Sequence, residues 1–491
     1  MLRRIRIVLA VLCLVLTTLL FLDFTGALHG LLHYMAKIQL VPAILALNLL
    51  VIGAVVLLTL LFGRLYCSII CPLGVFQDVI SHQGVKGKRA PFRYAKAKTA
   101  LRLVVLVVFI AFIALGMGSL MGILEPYGTY GLMVNNLLSP LVQLGNNGLA
   151  ALAERADSYA FYSVDIWLRS VAGLILALLA LGIIGWLSWK HGRAYCNTIC
   201  PVGTVLGYLS KFALFKFRID KSKCVRCGQC ALNCKAACID SKNHAIDYSR
   251  CVACGNCEKI CVHGAIKFTA SKPEQKAKAA SEKAQKGRRE FMSQALLLAT
   301  APAAAKAPAP RMKVDGGLAP ITPKQPAERQ CPVVPAGGMG HKNFYSHCVA
   351  CQLCISACPN GVLRPSMDLS TFMQPIMSFE KGYCRPECTA CSDVCPAGAI
   401  HPITKEEKSA TSIGHAVWVE KNCIVTKNGT KCGNCAKHCP TGAIQMVQRG
   451  ELWIPVVNPE RCIGCGNCEY VCPAAPMAGI YVEGNSRHRQ I

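Results

Sequence analysis

The sequence lacks the signatures of several common cofactor sites. The glycine-rich stretch GGMG at 337–340 does not have the flanking strand and helix that a dinucleotide fingerprint requires, and nothing resembles a flavin or molybdenum site. A haem is a poor fit, because no histidine lies deep in one long apolar segment facing another. Chemistry based on any of these groups is therefore not indicated.

Acidic residues are also scarce. The 491-residue chain has 26 Asp and Glu against 53 Lys and Arg, a formal net charge of +27. A nucleic-acid-binding protein would gather its basic residues on one folded face. Here they concentrate beside apolar segments and in the stretch 272–289, which is typical of the inner face of a membrane. The sequence predicts no nucleic-acid partner.

Long apolar runs occupy much of the first 215 residues. They lie near 6–22, 39–62, 101–124 and 166–189. Each is long enough, or nearly so, to cross a bilayer as a helix, so residues 1–215 are predicted to form an α-helical membrane domain with four transmembrane helices.

Loop charge predicts the orientation of these helices. The 63–100 connection is rich in Lys and Arg, whereas the 125–165 connection has one basic residue, Arg155. The positive-inside rule then places the N-terminus, the 63–100 loop and residues 190–285 in the cytoplasm. A multi-pass protein of the inner (cytoplasmic) membrane is expected.

Cysteine is abundant and tightly spaced. The chain has 31 cysteines, and all except Cys13 follow position 66. Almost all have two or three residues between them and the next cysteine. This spacing indicates metal ligation, whereas disulfide scaffolds are usually short secreted chains. Cys13 and Cys331 stand alone and are predicted not to be ligands.

A paired motif follows the second and fourth apolar runs. GRLYCSIICPLG at 63–74 returns as GRAYCNTICPVG at 192–203. Together the two CxxxCP loops supply four thiolates for one shared metal or cluster site: Cys67, Cys71, Cys196 and Cys200. The alternatives are a redox-active dithiol pair and thiols that shape a turn. Tyr66 and Tyr195 are expected to anchor the loops at the headgroup interface.

Residues 216–270 hold two cysteine runs, CVRCGQCALNC and CVACGNCEKIC. They match the bacterial two-cluster ferredoxin, in which the last cysteine of each run ligates the other cluster. One predicted ligand set is Cys224, Cys227, Cys230 and Cys261. The other is Cys251, Cys254, Cys257 and either Cys234 or Cys238, with Cys234 preferred because CKAAC departs from the usual Cys-Pro ending.

Residues 341–491 hold four further runs, all ending in Cys-Pro. Six [4Fe–4S] clusters are therefore expected in the two soluble modules, and zinc is the alternative. The outer runs resemble each other, as do the inner two, which predicts a nested pairing. The four ligand sets would be Cys348, Cys351, Cys354 and Cys472; Cys462, Cys465, Cys468 and Cys358; Cys384, Cys388, Cys391 and Cys439; and Cys423, Cys432, Cys435 and Cys395.

Polar groups near the opposite face of the membrane are candidates for a quinol site. His29 and His33 are spaced i, i+4, and Glu125 follows the third apolar run. Quinol oxidation needs proton acceptors near the membrane surface, and these side chains could accept protons. The alternative is that the histidines are structural.

The two halves resemble two known families joined end to end. Residues 1–270 resemble the NapH-type membrane ferredoxins, with paired CxxxCP loops and a two-cluster domain. Residues 287–491 resemble the NapG/MauM-type four-cluster ferredoxins. Those proteins begin with a twin-arginine export signal, which GRREFM within 286–307 matches. The linker 271–340 would thus contain an internal signal, placing residues 307–491 in the periplasm. The alternative is a cytoplasmic Ala/Pro-rich tether.

The resemblance implies an electron-transfer component of a quinol dehydrogenase. Electrons would pass from the membrane quinone pool, with quinol as substrate, to a periplasmic reductase such as nitrate reductase or to a multihaem cytochrome. The alternatives are an accessory polyferredoxin that supplies electrons for metalloenzyme assembly and a docking scaffold that does not oxidise quinol. The expected fold class is a helical membrane domain plus α+β ferredoxin-like iron–sulfur domains with little regular secondary structure.

Overall fold

The computed structural model describes residues 2–86, 92–158, 161–164, 170–270, 313–314, 320–321 and 324–491. The predicted export signal at 286–307 lies outside the described residues.

The first part of the chain is a helical bundle. Its helices are α1 (Leu2–Leu22), α2 (His29–Lys37), α3 (Leu40–Leu45), α4 (Leu49–Phe62), α5 (Tyr66–Ile69), α6 (Pro72–Lys86), α7 (Thr99–Ala114), α8 (Gly118–Leu124), α9 (Pro126–Met133), α10 (Ser139–Arg155), α11 (Val171–His191), α12 (Ala194–Thr198) and α13 (Pro201–Leu209). A π-helical turn, Val134–Leu138, joins α9 to α10.

Only two helices in the described residues are long and apolar enough to cross a membrane, namely α1 and α11. Each has 21 residues, which corresponds to about 31 Å. The expectation of four transmembrane helices is therefore wrong in its count. The second predicted span breaks at Leu47 (φ 52°) and the third at Gly116 (φ 67°). A left-handed residue cannot continue an α-helix, so α4 and α7 have only 14 and 16 residues.

Residues 215–270 form the N-terminal ferredoxin module. Its first strand, β1 (Phe215–Ile219), pairs antiparallel with its last, β4 (Ile266–Ala270). Between them lie α14 (Gln229–Leu232), the short hairpin of β2 (Ile239–Asp240) and β3 (Ala245–Ile246), and α15 (Asn256–Ile260). The strand pair brings the two ends of the module together around its cysteines.

The C-terminal module has little regular structure, and the described strands pair only in twos. Its strands are β7 (Leu363–Pro365), β8 (Pro375–Met377), β9 (Thr411–Trp418), β10 (Ile444–Arg449), β11 (Leu452–Val457) and β12 (Ile480–Gln490), with the pairs β7–β8, β9–β12 and β10–β11. Strands β5 (Lys313–Val314) and β6 (Pro320–Ile321) precede the module. Its helices are α16 (His341–His347), α17 (Leu353–Ala357), α18 (Ala390–Val394), α19 (Lys405–Ser409), α20 (Ile424–Asn428), α21 (Asn434–Lys437) and α22 (Asn467–Tyr470).

The two modules contact opposite ends of the helical bundle. At the start of α1, Arg3 Nε donates to Asn256 Oδ1 of the N-terminal module at 3.1 Å. Near its end, Phe21 packs at Gly131 beside the carbonyl oxygen of Cys351 in the C-terminal module. Helix α11 also contacts one module at each of its ends. Ser170, before its start, lies 3.1 Å from Met367 Sδ, and the chain after its end bonds to the Lys235 carbonyl.

Candidate iron–sulfur sites

The N-terminal module groups its cysteines as the sequence predicts. One cavity is lined by Cys224, Cys227, Cys230 and Cys261. A second is lined by Cys251, Cys254 and Cys257 together with Cys234 and Cys238, whose sulfur atoms are 3.5 Å apart. Burial and the neighbouring Cys234 both raise the pKa of Cys254 and Cys257. Cys238 lies within hydrogen-bond reach of Cys251, so both Cys234 and Cys238 stay candidates for the fourth ligand.

The C-terminal module does not have the predicted nested pairing. One cavity joins Cys358 to Cys384, Cys388 and Cys391. Another joins Cys472 to Cys423, Cys432 and Cys435, and a third joins Cys439 to Cys462, Cys465 and Cys468. For the remaining thiols, burial raises the pKa of Cys348, Cys351 and Cys354, and the neighbouring Cys395 raises it further in all three. Each run thus exchanges its last cysteine with the adjacent run in the chain.

The nested prediction fails because resemblance between runs carries no information about distance. Short connections fold neighbouring runs against each other, and α17 of the first run packs on α18 of the second. The same exchange occurs between neighbouring runs in the N-terminal module. The C-terminal module therefore consists of two units with the same exchange of cysteines as the N-terminal module.

Left-handed backbone positions recur in the compact runs. The residue before the second cysteine and the residue after it both have positive φ in four runs. These pairs are Arg226 and Gly228, Ala253 and Gly255, Ala350 and Gln352, and Gly464 and Gly466. Holding a non-glycine residue in this region costs about 1–3 kcal/mol, and such strain is typical of ligand-holding loops. The backbone on both sides of the second cysteine therefore has the same local conformation in these four runs.

Burial disfavours the free thiolate at several of these cysteines. Burial raises the pKa of Cys348 and Cys465 to about 12 and that of Cys435 to about 11. A bound metal reverses this effect, because coordination to a cation deprotonates the thiol.

No group of three or more His, Cys, Asp or Glu side chains in the described ranges is arranged to hold a single metal ion. Sulfur atoms around one zinc ion would lie about 3.8 Å apart, closer than the ligands of a four-iron cluster.

The two CxxxCP loops meet inside the bundle. Cys67, Cys71, Cys196 and Cys200 are each 3% exposed. Burial and the neighbouring thiols raise the pKa of Cys71 and Cys200, and Gln77 Nε2 donates to Cys196 Sγ at 3.3 Å. The structure therefore brings together the four thiolates that the repeated motif predicts.

Each motif's arginine binds the other motif. Arg64 donates to the Cys196 carbonyl at 3.1 Å, and Arg193 donates to the Cys67 carbonyl at 2.6 Å. Gly203 and Gly74 leave room for these arginines, since a Cβ atom at either would lie 2.7 Å from the guanidinium. Sequence reasoning missed this reciprocal contact, although the shared Gly-Arg dipeptide and the final glycine of both motifs were its signal.

Tyr66 and Tyr195 do not lie at an exposed interface. They are 2% and 6% exposed. Tyr66 donates to Gln39 Oε1 at 3.0 Å, and Tyr195 donates to the Leu124 carbonyl at 3.3 Å. The expected anchoring role is therefore wrong, and both rings extend from the CxxxCP loops toward Glu125.

The three quinol-site candidates have different surroundings. His29 is buried, with Nδ1 2.9 Å from Asp23 Oδ2, and His33 bonds to the Gly30 carbonyl at 2.9 Å. These contacts favour a structural role for both histidines. Glu125 is 1% exposed, and burial raises its pKa to about 7. Its carboxylate accepts from the Gly128 amide at the start of α9.

Cys13 and Cys331 lie apart from these sites. Cys13 is on α1 and is partly buried. Cys331 Sγ lies 3.5 Å from His341 Nδ1. Neither thiol lines the cavities formed by the other cysteines.

Comparisons with known proteins agree with iron–sulfur binding. Models of a "4Fe-4S binding domain" match residues 44–91 with 171–221, and residues 244–267. A "4Fe-4S dicluster domain" model matches residues 429–475. The first match includes both CxxxCP loops, and the dicluster match takes the last two runs as one unit, as the structure does. No solved structure matches the chain.

Several ferredoxin-type proteins are similar to this chain. MauM of Methylobacillus flagellatus, a methylamine utilization protein, is 32% identical over 31% of this chain and 69% of its own length. MauM of Methylophilus methylotrophus is 31% identical over 33% of this chain and 80% of its own. The chain belongs to the MauM family of ferredoxin-type proteins. NapG of Escherichia coli is also similar, at 29% identity over 28% of this chain and 64% of its own. As a family member the chain is an iron–sulfur electron-transfer protein.

The adjacent pairing can be tested by counting iron in double variants. We expect Cys348→Ser with Cys395→Ser to lose about four iron atoms per chain, no more than either single change, because both residues serve one cluster. Cys348→Ser with Cys472→Ser should lose about eight, because these residues serve two clusters. Iron and sulfide analysis of anaerobically purified protein measures both. The opposite result would restore the nested pairing.

Proposed function

We propose that the chain conducts electrons across a membrane, from quinol to an acceptor outside the cytoplasm. One observation carries the proposal: the cysteine sites form an unbroken series from one end of the helical bundle to the other. Quinol would supply the electrons, and a periplasmic reductase or multihaem cytochrome would receive them. Six [4Fe–4S] clusters in the soluble modules and a seventh at the CxxxCP pair would supply one-electron redox chemistry when bound.

The N-terminal module rests directly on the CxxxCP pair. Arg64, which lies 3.9 Å from Cys67 Sγ, also donates to the Ser249 carbonyl at 3.2 Å. Asn197 donates to the Ala236 carbonyl at 3.2 Å, next to the loop that carries Cys234. These contacts place the Cys251 site, and not the Cys224 site, nearest to the bundle.

Asp78 strengthens this junction. Its buried carboxylate binds Arg193 at 2.7 Å, Arg6 at 3.6 Å and Lys235. Arg193 belongs to the second CxxxCP motif, and Lys235 belongs to the N-terminal module. A buried ion group of this kind is costly unless all partners are present, which favours a fixed junction over a mobile one.

On the far side, the series continues through the C-terminal module. Helix α17, which carries Cys354, packs on α18, which carries Cys391, and this contact links the first two sites. The Cys384 amide donates to the Cys465 carbonyl at 2.9 Å, which links the second site to the third. Helix α21, which carries Cys435, packs on α22, which carries Cys468, and this contact links the third site to the fourth.

Two features support placing the modules on opposite sides of a membrane. Helices α1 and α11 have spanning length, and each contacts the N-terminal module at one end and the C-terminal module at the other. The basic 63–100 loop agrees with a cytoplasmic location for the N-terminal module. Export of residues 307–491 through the twin-arginine-like segment is part of the proposal.

In the test, menaquinol reduces the purified protein in liposomes. The reduction is measured as bleaching, which is the loss of visible iron–sulfur absorbance. We expect bleaching by menaquinol to an extent set by the cluster potentials, and complete bleaching by dithionite. Bleaching by dithionite alone would contradict quinol oxidation and favour an accessory or docking role.

The pKa of Glu125 predicts a pH dependence. Because burial raises this pKa from 4.5 to about 7, the carboxyl group is neutral below pH 7 and ionised above it. Only the ionised form accepts a quinol proton, so the rate of quinol oxidation should rise as pH increases through about 7. We expect Glu125→Gln to lower the rate and abolish this rise. The exposed Glu154→Gln is the control, and an unchanged profile in Glu125→Gln would remove Glu125 from the quinol site.

A further inference from the structure

The C-terminal module is held by a seam of glycines on the bundle. The seam consists of Gly118 and Gly122 on α8 and Gly128 and Gly131 on α9. Loop 348–352, which carries Cys348 and Cys351, lies across it. The loop belongs to the first cysteine run of the module.

The contact is too close for any side chain at these positions. A Cβ atom at Gly118 would lie 2.5 Å from the Cys348 carbonyl oxygen, and one at Gly131 would lie 2.6 Å from that of Cys351. At Gly128 it would lie 2.8 Å from the Val349 carbonyl, and at Gly122 it would overlap the same carbonyl. Backbone thus packs directly on backbone along two short helices.

Polar side chains fix the loop at the end of the seam. Asn135 donates to the Cys351 carbonyl at 3.4 Å and accepts from Ser356 Oγ at 2.7 Å. Asn136 donates to Gln352 Oε1 at 3.2 Å. All four side chains are buried. Buried hydrogen bonds of this kind specify one arrangement, because a shifted loop would leave their donors and acceptors unpaired.

The same stretch of chain faces the CxxxCP pair. Glu125 lies between α8 and α9, and its carboxylate accepts from the amide of Gly128 in the seam. Tyr195, in the second CxxxCP motif, donates to the Leu124 carbonyl at the end of α8. The seam is therefore a direct connection between the CxxxCP pair and the loop that carries Cys348 and Cys351.

We propose that the glycine seam makes the Cys348 site the entry point for electrons into the C-terminal module. This inference rests on the proposed electron transfer and adds the contact through which it passes. The seam holds the Cys351 loop at van der Waals distance from α8 and α9, which keeps the transfer distance short. The Cys384, Cys462 and Cys423 sites then follow in that order.

The test compares two glycine variants. Gly122→Leu adds bulk against the Val349 carbonyl, whereas a side chain at Gly145 on α10 meets nothing within 4 Å. In Gly122→Leu we expect menaquinol to leave the C-terminal clusters oxidised while dithionite still bleaches them. The rate of electron transfer falls steeply as the distance between redox sites increases, so a displaced loop should slow reduction of the C-terminal clusters by menaquinol. Gly145→Leu should behave like the parent protein.

A second measurement does not depend on activity. Amide hydrogen exchange in residues 344–357 should accelerate in Gly122→Leu and not in Gly145→Leu. If Gly122→Leu loses iron, the double variant Asn135→Ala with Asn136→Ala replaces it, since it removes the loop's hydrogen bonds without adding bulk.

The outcomes separate this inference from the proposed function. Faster amide hydrogen exchange together with unchanged menaquinol bleaching of all clusters would show that the seam is not the entry point. It would leave the proposed electron conduction intact. Unchanged exchange in both the Gly122 variant and the double variant would overturn the docking contact itself. A parent protein that menaquinol cannot bleach would contradict the proposed function, and exchange alone would then decide whether the seam holds the module.

Discussion

Replacing Cys67 and Cys196 by serine should remove about four iron atoms per chain and stop quinol oxidation. Each change takes one thiolate from a different CxxxCP loop, and all four thiols of the pair are buried together. The two loops are also joined by their arginines, so neither half can hold a cluster alone. Iron and sulfide analysis of anaerobic protein, with menaquinol oxidation in liposomes, measures both effects.

The matched control is Cys13→Ser, since Cys13 lies on α1 apart from the cysteine sites and should leave iron content and oxidation unchanged. A loss of one metal atom in the double variant would indicate a single ion at the CxxxCP pair. Full iron content with normal oxidation would exclude the pair from the electron path. A loss far above four iron atoms would mean that the module interface had collapsed with the site, and the milder Gln77→Ala, which removes one hydrogen bond to Cys196, would then replace it.

A reporter fused after Ile491 should be active only outside the cytoplasm, and Arg288→Lys with Arg289→Lys should abolish that activity. The expected effect is close to complete, because the two arginines form the core of the twin-arginine-like segment. This route carries folded proteins, which suits a module whose clusters must be inserted before it crosses the membrane.

The control pair is Lys276→Arg with Lys278→Arg, which lies in the same basic stretch and outside the GRREFM segment. It should leave the reporter active. A reporter that is active in the cytoplasm of the unmutated chain would contradict export. The contacts at opposite ends of α1 and α11 would then need another explanation.

The cysteine sites were predictable where the ligands are local. Within a run, the CxxCxxC spacing itself places three thiols around one site, and the trios that begin at Cys224, Cys251 and Cys462 each line one cavity in the structure. The fourth ligand comes from another run, and its identity depends on which runs pack together. Cys395 and Cys472 both precede proline, so nothing in their local sequence distinguishes the site near Cys348 from the site near Cys423.

The apolar segments of the bundle could be predicted from the sequence, but the positions at which its helices end could not. Hydropathy continues through Leu47 and Gly116, where the backbone turns left-handed and the helices stop. The glycine seam was also missed. Its signal was the spacing of Gly118, Gly122, Gly128 and Gly131. Small residues indicate a close contact but do not identify the segment that makes it. Here that segment is the Cys348 loop, more than 200 residues away in the chain.

The most direct test of the account is the side on which electrons emerge. Purified protein in sealed liposomes, sorted by protease access to a tag after Ile491, would receive menaquinol together with a membrane-impermeant oxidant on one face at a time. The account predicts reduction of the oxidant only on the face that carries the C-terminal module, and none with the Cys67→Ser, Cys196→Ser variant. Reduction confined to the face of the N-terminal module, or equal on both faces, would contradict it.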